Sequence, residues 1–287
     1  MNRATGLLII EVVNSNPNGN PDQESDPRLR PDARGLISPV SFKRKLRDLV
    51  EDKDGPVWKQ ISRSFATQLD PARFQILESR ERDWDTVSKE AKAGTFKDHY
   101  WDARLFGNTF LEEGLSEHIR TGVVQFGLGI SVSPVAIDRQ TTTKKAGAEK
   151  AKDRGMAPLA YRIVEHGVYV MPYFVNPTAA GKSGCTGEDI QLLTHLIPYA
   201  YTQTASYIRP SINIRHAWHI EHKSPLGSCP DFLLTESLTP KRRKELDTDT
   251  PSKSWADYNV PESLPVELTS RVASAIDLVK KAWTATA

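Results

Sequence analysis

Leu7 to Val13 is a short run of Ile, Val and Leu interrupted only by Glu11. Bounded by Gly6 and an Asn-Pro-Asn-Gly turn, it predicts a buried first strand. Asn14 to Gly35 is dense in Asn, Pro, Gly and Asp and has no period, which predicts a loop. Ser38 and Pro39 form an N-cap and first-turn pair, after which Phe42, Leu46, Leu49 and Val50 recur at helical spacing as one apolar stripe. Glu51 to Asp98 is mixed and highly charged, helical in part, and Tyr100 to Phe106 leads into a second loop. Val124, Phe126, Leu128, Ile130 and Val132 alternate strictly, the pattern of a strand with one packed and one open face.

Ser133 to Ala157 is polar and aperiodic, and a β-like stretch from Arg162 to Val175 follows it, so the insertion reads as a protruding hairpin or arm. Thr186 to Ser206 carries Ile190, Leu193, Leu196, Ile197, Ala200 and Tyr201 at helical spacing and predicts a second core helix, bent near Pro198. Ile212 to His222 is a further strand candidate. Beyond Pro240 come a basic run, Lys241 to Lys244, a loop, and a short final helix around Pro265 to Trp283. The order strand, helix, strands, helix, strand predicts an α+β fold with a ferredoxin-like, RNA-recognition-type sandwich carrying long insertions.

The 287 residues hold 38 Lys plus Arg against 36 Asp plus Glu, which excludes a histone-like polycation and an acidic tail. Two cysteines, Cys185 and Cys229, support neither a disulfide framework nor a four-ligand zinc site. The apolar runs are too short to span a bilayer and the N-terminus has no cleavage pattern, so no membrane partner is expected and the cytoplasm is the expected compartment.

Charge is clustered within that balance. Between Arg28 and Arg47 seven basic residues stand against Asp32 alone. Lys43 and Arg47 fall one turn apart on one flank of the apolar stripe, and Arg44 points away from the core. Like charges at that spacing destabilise an isolated helix by tenths of a kcal/mol, so phosphates between them would make sense of the pair. The Ser38 helix N-terminus would add N–H donors. An ordinary solvated helix face explains the same pattern. Arg139, Lys144, Lys145, Lys150, Lys152 and Arg154 make the insertion basic, as either a polyanion-binding arm or a surface loop. Arg209 and Arg215 flank the last strand candidate and could add phosphate contacts.

Three motifs fail. Gly181-Lys182-Ser183 lacks the upstream glycine of a phosphate-binding loop, where Asn176 stands. His216, His219 and His222 cannot converge from a regular strand, which places His219 on the opposite face. Asp98, His99, Trp101 and Asp102 offer acid and base groups without a nucleophile, and a packed aromatic corner accounts for them. Neither metal nor cofactor is expected.

The blocks Asn16-Pro17-Asn18-Gly19-Asn20-Pro21-Asp22, Gly35 to Asp48, Trp101-Asp102-Ala103-Arg104-Leu105-Phe106-Gly107, Thr121 to Phe126 and Glu221-His222-Lys223-Ser224-Pro225-Leu226-Gly227 occur in that order. Together they resemble the backbone (seventh) subunit family of type I CRISPR Cascade surveillance complexes, closest to the type I-C and I-B branch. Asn20 departs from the acidic residue usual there, and the tail after Leu233 matches nothing in the pattern.

The resemblance implies a non-enzymatic subunit that polymerises along CRISPR RNA and presents the guide for pairing with target DNA. Its partners would be the guide, neighbouring copies, the cap subunit at the guide's 5′ end, and large and small subunits. It implies a palm over about 5–50, 117–135 and 160–232, a finger region over about 51–116, a thumb hairpin over about 136–159 and a C-terminal segment over 233–287. The expected RNA-binding residues are Asn18, Ser38, Lys43, Arg44, Lys45, Arg47, Arg139, Lys144, Lys145, Arg154, Arg209 and Arg215. Two other classes remain: a metal-dependent RNA endonuclease using His216 or His219, and a self-assembling scaffold with incidental nucleic-acid binding.

Overall fold

The structure, a computed structural model, describes residues 1–65, 68–80, 83–107, 121–145 and 156–284, without the side chains of 142–145 and 156–160. It is a mixed α+β fold built on one eight-stranded antiparallel sheet. β1 (Ala4–Ser15) is central. It pairs β6 (Met156–Val175) from Ala4 opposite Val175 to Ser15 opposite Val164, and on its other edge β7 (Ile212–Glu221). The run is continuously apolar because both of its faces are covered. Leu8, Ile10 and Val12 enter one core cluster, and Leu7 and Ile9 enter another, the alternation of a strand between two layers.

The loop expected over Asn14 to Gly35 closes with an edge strand, β2 (Arg34–Ile37), paired to β4 (Gly129–Pro134). Helix α1 (Pro39–Glu51) buries Phe42, Leu46, Leu49 and Val50, the predicted stripe. The charged stretch after it forms α2 (Pro56–Arg63) and α3 (Trp84–Ala93). Residues Trp101 to Phe106, expected to lead into a loop, form a helix, α4 (Trp101–Phe106), with all six residues buried. Partners distant in sequence hold it there: Trp101 Nε1 donates to Asp189 O at 3.2 Å, and the Arg104 guanidinium pairs with the Asp189 carboxylate at 2.7 Å.

The alternating strand expected over Val124 to Val132 is two strands, β3 (Val124–Phe126) and β4, because the chain bends at Gly127 and Leu128 between two segments of β6. The insertion is a hairpin: β5 (Ile137–Lys145) pairs the N-terminal half of β6 from Ile137 opposite Val164 to Lys145 opposite Met156. At ~3.4 Å per residue it extends the sheet by roughly 30 Å.

The second core helix, α5 (Gly187–Leu196), starts at a Thr186/Asp189 capping box and stops well short of Ser206. Pro198 cannot donate to the ladder, and the chain continues as short turns, Ile197–Tyr199 and Thr202–Thr204. The single helix expected from Pro265 to Trp283 is interrupted: a helical turn, Val266–Thr269, is followed by an edge strand, β8 (Ser274–Asp277), that pairs β7 and precedes a short helix, α7 (Leu278–Thr284). The Asp277 carboxylate decides this, accepting the Ala217 and Val279 N–H groups and the His216 Nδ1 proton.

The sheet order is β8-β7-β1-β6-β4-β2, with β3 and β5 also on β6. Helices α1, α2, α4, α5 and α7 contribute to the layer on one face. Helix α6 (Asp231–Leu238) and the segment through Val272 cover the other, packing Leu234, Leu238, Tyr258 and Leu264 on Leu7, Ile9, Val168 and Trp218. No helix among the described residues is long and apolar enough to cross a membrane.

Candidate nucleic-acid interface

The Asn-Pro-Asn-Gly turn is tied to α1 and to the hairpin. Asn18 Oδ1 accepts the Ser38 N–H at 2.7 Å, while Asn16 Nδ2 donates to Ser25 O and Arg162 O. Ser38 Oγ caps Ser41 N at 3.2 Å. Pro39 has no N–H, so the first turn keeps only Val40 as a donor without a protein partner among the described residues. At this helix N-terminus the protein's own cap thus takes up the Ser38 and Ser41 N–H groups.

The basic residues of α1 separate into two kinds. Arg47 Nε donates to Asp102 Oδ2 at 2.8 Å; its side chain is 11% exposed and that of Asp102 1%. Asp102 also accepts from Leu77 N and Glu78 N, so it is an organiser of the core edge. Arg44 is neutralised by Asp48 at 2.6 Å and Glu51 at 2.5 Å. An internal carboxylate thus accounts for Arg47, while Lys43 has none in ion-pair contact among the described residues. Both cations sit over the Phe106 ring, at 4.9 and 5.5 Å. Burial and then Arg47 hold the Lys43 ammonium below its ordinary pKa.

Lys45 is different. Burial first, and then the charges of Arg209, Arg44 and Arg80, push its pKa down, with Asp48 opposing. Arg209 donates through Nε to Asn16 O at 2.9 Å. Among the described residues neither Lys45 nor Arg209 has a carboxylate in ion-pair contact. Two cations near each other, neither in ion-pair contact with a carboxylate, form a site that an anion would relieve. Lys45 also lines a cleft of about 350 Å³ with Asp48, Gly55, Trp58 and Gln203 to Ala205.

At the hairpin base, Arg139 and Arg162 converge on Asp26 at 2.7 and 2.8 Å, and Arg162 also pairs with Glu24. Burial opposes ionisation of Asp26, but the two guanidinium hydrogen bonds outweigh it and keep the carboxyl below its usual range. The Arg139 side chain is still 57% exposed. Lys144 and Lys145 lie at the distal end of β5, and Arg154 lies outside the described residues. Arg215 does not join this group. It occupies a bulge in β7, where Ile9 faces His216 and Ile10 faces Ile214. From there it pairs with Glu11 at 3.2 Å and covers Trp255 at 4.5 Å, on the face opposite α1. Arg162 was not singled out from the sequence, and Arg80 drew no signal because its position near Lys45 depends on folding.

The histidines go to separate places. His216 Nδ1 meets Asp277 Oδ2 at 2.8 Å, His219 Nδ1 meets the Tyr173 hydroxyl at 2.9 Å, and His222 Nε2 meets Thr5 Oγ1 at 3.0 Å. Among the described residues no group of three His, Cys, Asp or Glu side chains could hold a metal ion. The basic run in the tail is structural at Arg242, which pairs with Asp257 at 2.9 Å.

An extended antiparallel sheet with a basic hairpin, and the neighbouring cations Lys45 and Arg209 with no carboxylate in ion-pair contact among the described residues, define a candidate polyanion-binding protein. The sequence profile described as CRISPR-associated protein Cas7 matches residues 2–262, and the chain belongs to that family. A CRISPR-associated protein Cas7 of Haloferax volcanii is 29% identical over 110 residues, 38% of this chain and 32% of the relative, so the alignment spans about a third of that protein. Among solved structures, a chain of a CRISPR RNA-guided surveillance complex in a pre-nicking state aligns at TM-score 0.47 and 17% identity, over 76% of this chain and 77% of that one. A chain of a type III-B Cmr-beta complex bound to cognate target RNA aligns at TM-score 0.43 and 10% identity, over 77% and 61%.

Proposed function

We propose that this chain is the CRISPR RNA-binding backbone subunit of a type I Cascade complex in the cytoplasm, several copies lining the guide and presenting it for pairing with target DNA in antiviral defence. Membership of the Cas7 family over residues 2–262 is the observation that carries this. The sheet order β7-β1-β6-β4, with α1 following β1 and α5 following β6, supports a ferredoxin-like palm. The palm takes in about 5–50, 117–135 and 160–232, the finger region about 51–116 and the thumb about 136–159, where the β5–β6 hairpin supports the reading. The face away from α1 is packed under α6 and the C-terminal segment, which favours RNA on the α1 and hairpin side.

Lys45, Arg209 and Arg139 take phosphates in this reading, and Arg47 and Arg44 hold the helix in place. A guide that varies freely requires contacts to phosphate and ribose, which carry no sequence information. The chain is a binding subunit and other components of the complex cut. The endonuclease alternative is not favoured, since His216 and His219 each have a protein partner and lie apart from Lys45 and Arg209.

The test is expression of the chain with partner subunits, with and without a CRISPR array. The expected result is an array-dependent, large size-exclusion peak rich in absorbance at 260 nm that protects guide-length RNA. A nucleic-acid-free monomer under both conditions would overturn the reading.

A further inference from the structure

The turn from Ser206 to Arg209 carries the chain into β7. Arg209 N donates to Ser206 O at 2.8 Å, which leaves Tyr207 and Ile208 at the centre of the turn. Both central carbonyls are held from outside it. The Tyr161 hydroxyl, from β6 near the hairpin base, donates to Tyr207 O at 3.2 Å, and Asn16 N donates to Ile208 O at 2.8 Å. Arg209 returns to Asn16 O. The backbone under Tyr207 is thereby tied to the Asn-Pro-Asn-Gly turn and to the hairpin at once, yet the Tyr207 residue is 64% exposed.

One exposed aromatic residue is ordinary; its surroundings make this one informative. Arg209, two residues on, adds to the positive charge around Lys45, and neither has a carboxylate in ion-pair contact among the described residues. Gln203 to Ala205, just before the turn, line the same cleft as Lys45. An exposed aromatic side chain on a turn whose main chain is held, close in sequence to cations, is the kind of arrangement that binds single-stranded nucleic acid, where any base can stack on the ring and the cations follow the backbone.

Resting on the RNA-binding reading above, we propose that Tyr207 is a stacking platform for one unpaired nucleobase of a bound RNA strand, with Arg209 and Lys45 taking the adjacent phosphates. Stacking is tolerant of base identity, so the contact suits a strand whose sequence varies.

Anisotropy of a fluorescein-labelled single-stranded RNA of mixed sequence, titrated with the purified full chain, tests this. Tyr207→Ala and Tyr207→Leu each weaken binding about 5-fold to 150-fold, whereas Tyr207→Phe and Tyr207→Trp stay within about 2-fold of wild type. Thermal melts of all four match wild type, because the turn is held through main-chain carbonyls. In Tyr207→Trp the added indole emission is quenched as RNA saturates the site. Wild-type affinity in a folded Tyr207→Leu variant, or no quenching in Tyr207→Trp, overturns the stacking site and leaves the RNA reading intact. No RNA binding by the wild-type chain, alone or with its partner subunits, overturns both.

Discussion

Arg104 and Asp189 are 1% and 0% exposed at the side chain and meet at 2.7 Å. The guanidinium also donates to Lys97 O and Arg73 O, so one side chain satisfies three segments of chain. Arg104→Met leaves Asp189 buried without its counter-charge, and the unfolding free energy falls by about 3–5 kcal/mol, read from urea denaturation. Half-buried His219 sets an acid limb. Burial, and secondarily Lys281, lower its pKa from 6.5 to about 4, with the Tyr173 hydroxyl bonded to Nδ1. As pH falls the unfolded chain takes up this proton first, so stability present above pH 6.5 is lost on the way to about pH 4. The slope from this group reaches at most about 1.4 kcal/mol per pH unit. His219→Gln flattens that limb in melts recorded across the window.

Helix α1 carries cations of two kinds, Arg44 and Arg47 held by carboxylates and Lys43 and Lys45 with none in ion-pair contact among the described residues. Its apolar stripe and Ser38 cap are local features, and both stand in the structure as the sequence predicts them. The roles of its cations were not legible, because Asp102 lies 55 residues from Arg47. Arg209 and Arg80 likewise reach Lys45 only through the fold. Lys45 is crowded by Arg209 and has no carboxylate in ion-pair contact among the described residues, and the prediction at this scale concerns it. Lys45→Gln lowers the slope of log K against log salt for single-stranded RNA by about 0.7, one phosphate contact. An unchanged slope places its charge outside the RNA path. Thermal melting of this variant stays near wild type or rises slightly, since a charge crowded by Arg209 is removed.

The whole molecule is a sheet enclosed between unequal layers. The layer opposite α1 is supplied by the end of the chain: α6, Tyr258, Leu264 and Val272 cover Leu7, Ile9, Val168, Trp218 and Ile220. His216 and Trp255 stack at 6.2 Å, and Ser252 bonds the buried His166. A chain ending at Thr239 exposes much of this apolar face. It binds a hydrophobic dye, loses near-UV circular dichroism and aggregates, as static light scattering would report. A monodisperse, dye-silent product would mean that α6 alone closes the layer.

The sequence by itself determined β1, α1, the start of α5, β7 and the existence of a hairpin insertion, because each is written in local periodicity, caps and turn residues. It also determined the family resemblance, through short motifs in fixed order. Tertiary structure alone decided that Trp101 to Phe106 is a helix, that Ser274 to Asp277 is an edge strand, and that Arg47 and Arg44 meet carboxylates while Lys45 and Arg209 meet none in ion-pair contact among the described residues. In each case the deciding partner is a carboxylate, a main-chain group or a strand edge outside the local window. Periodicity records which side of an element faces the core; it carries no record of which distant charge will be waiting there.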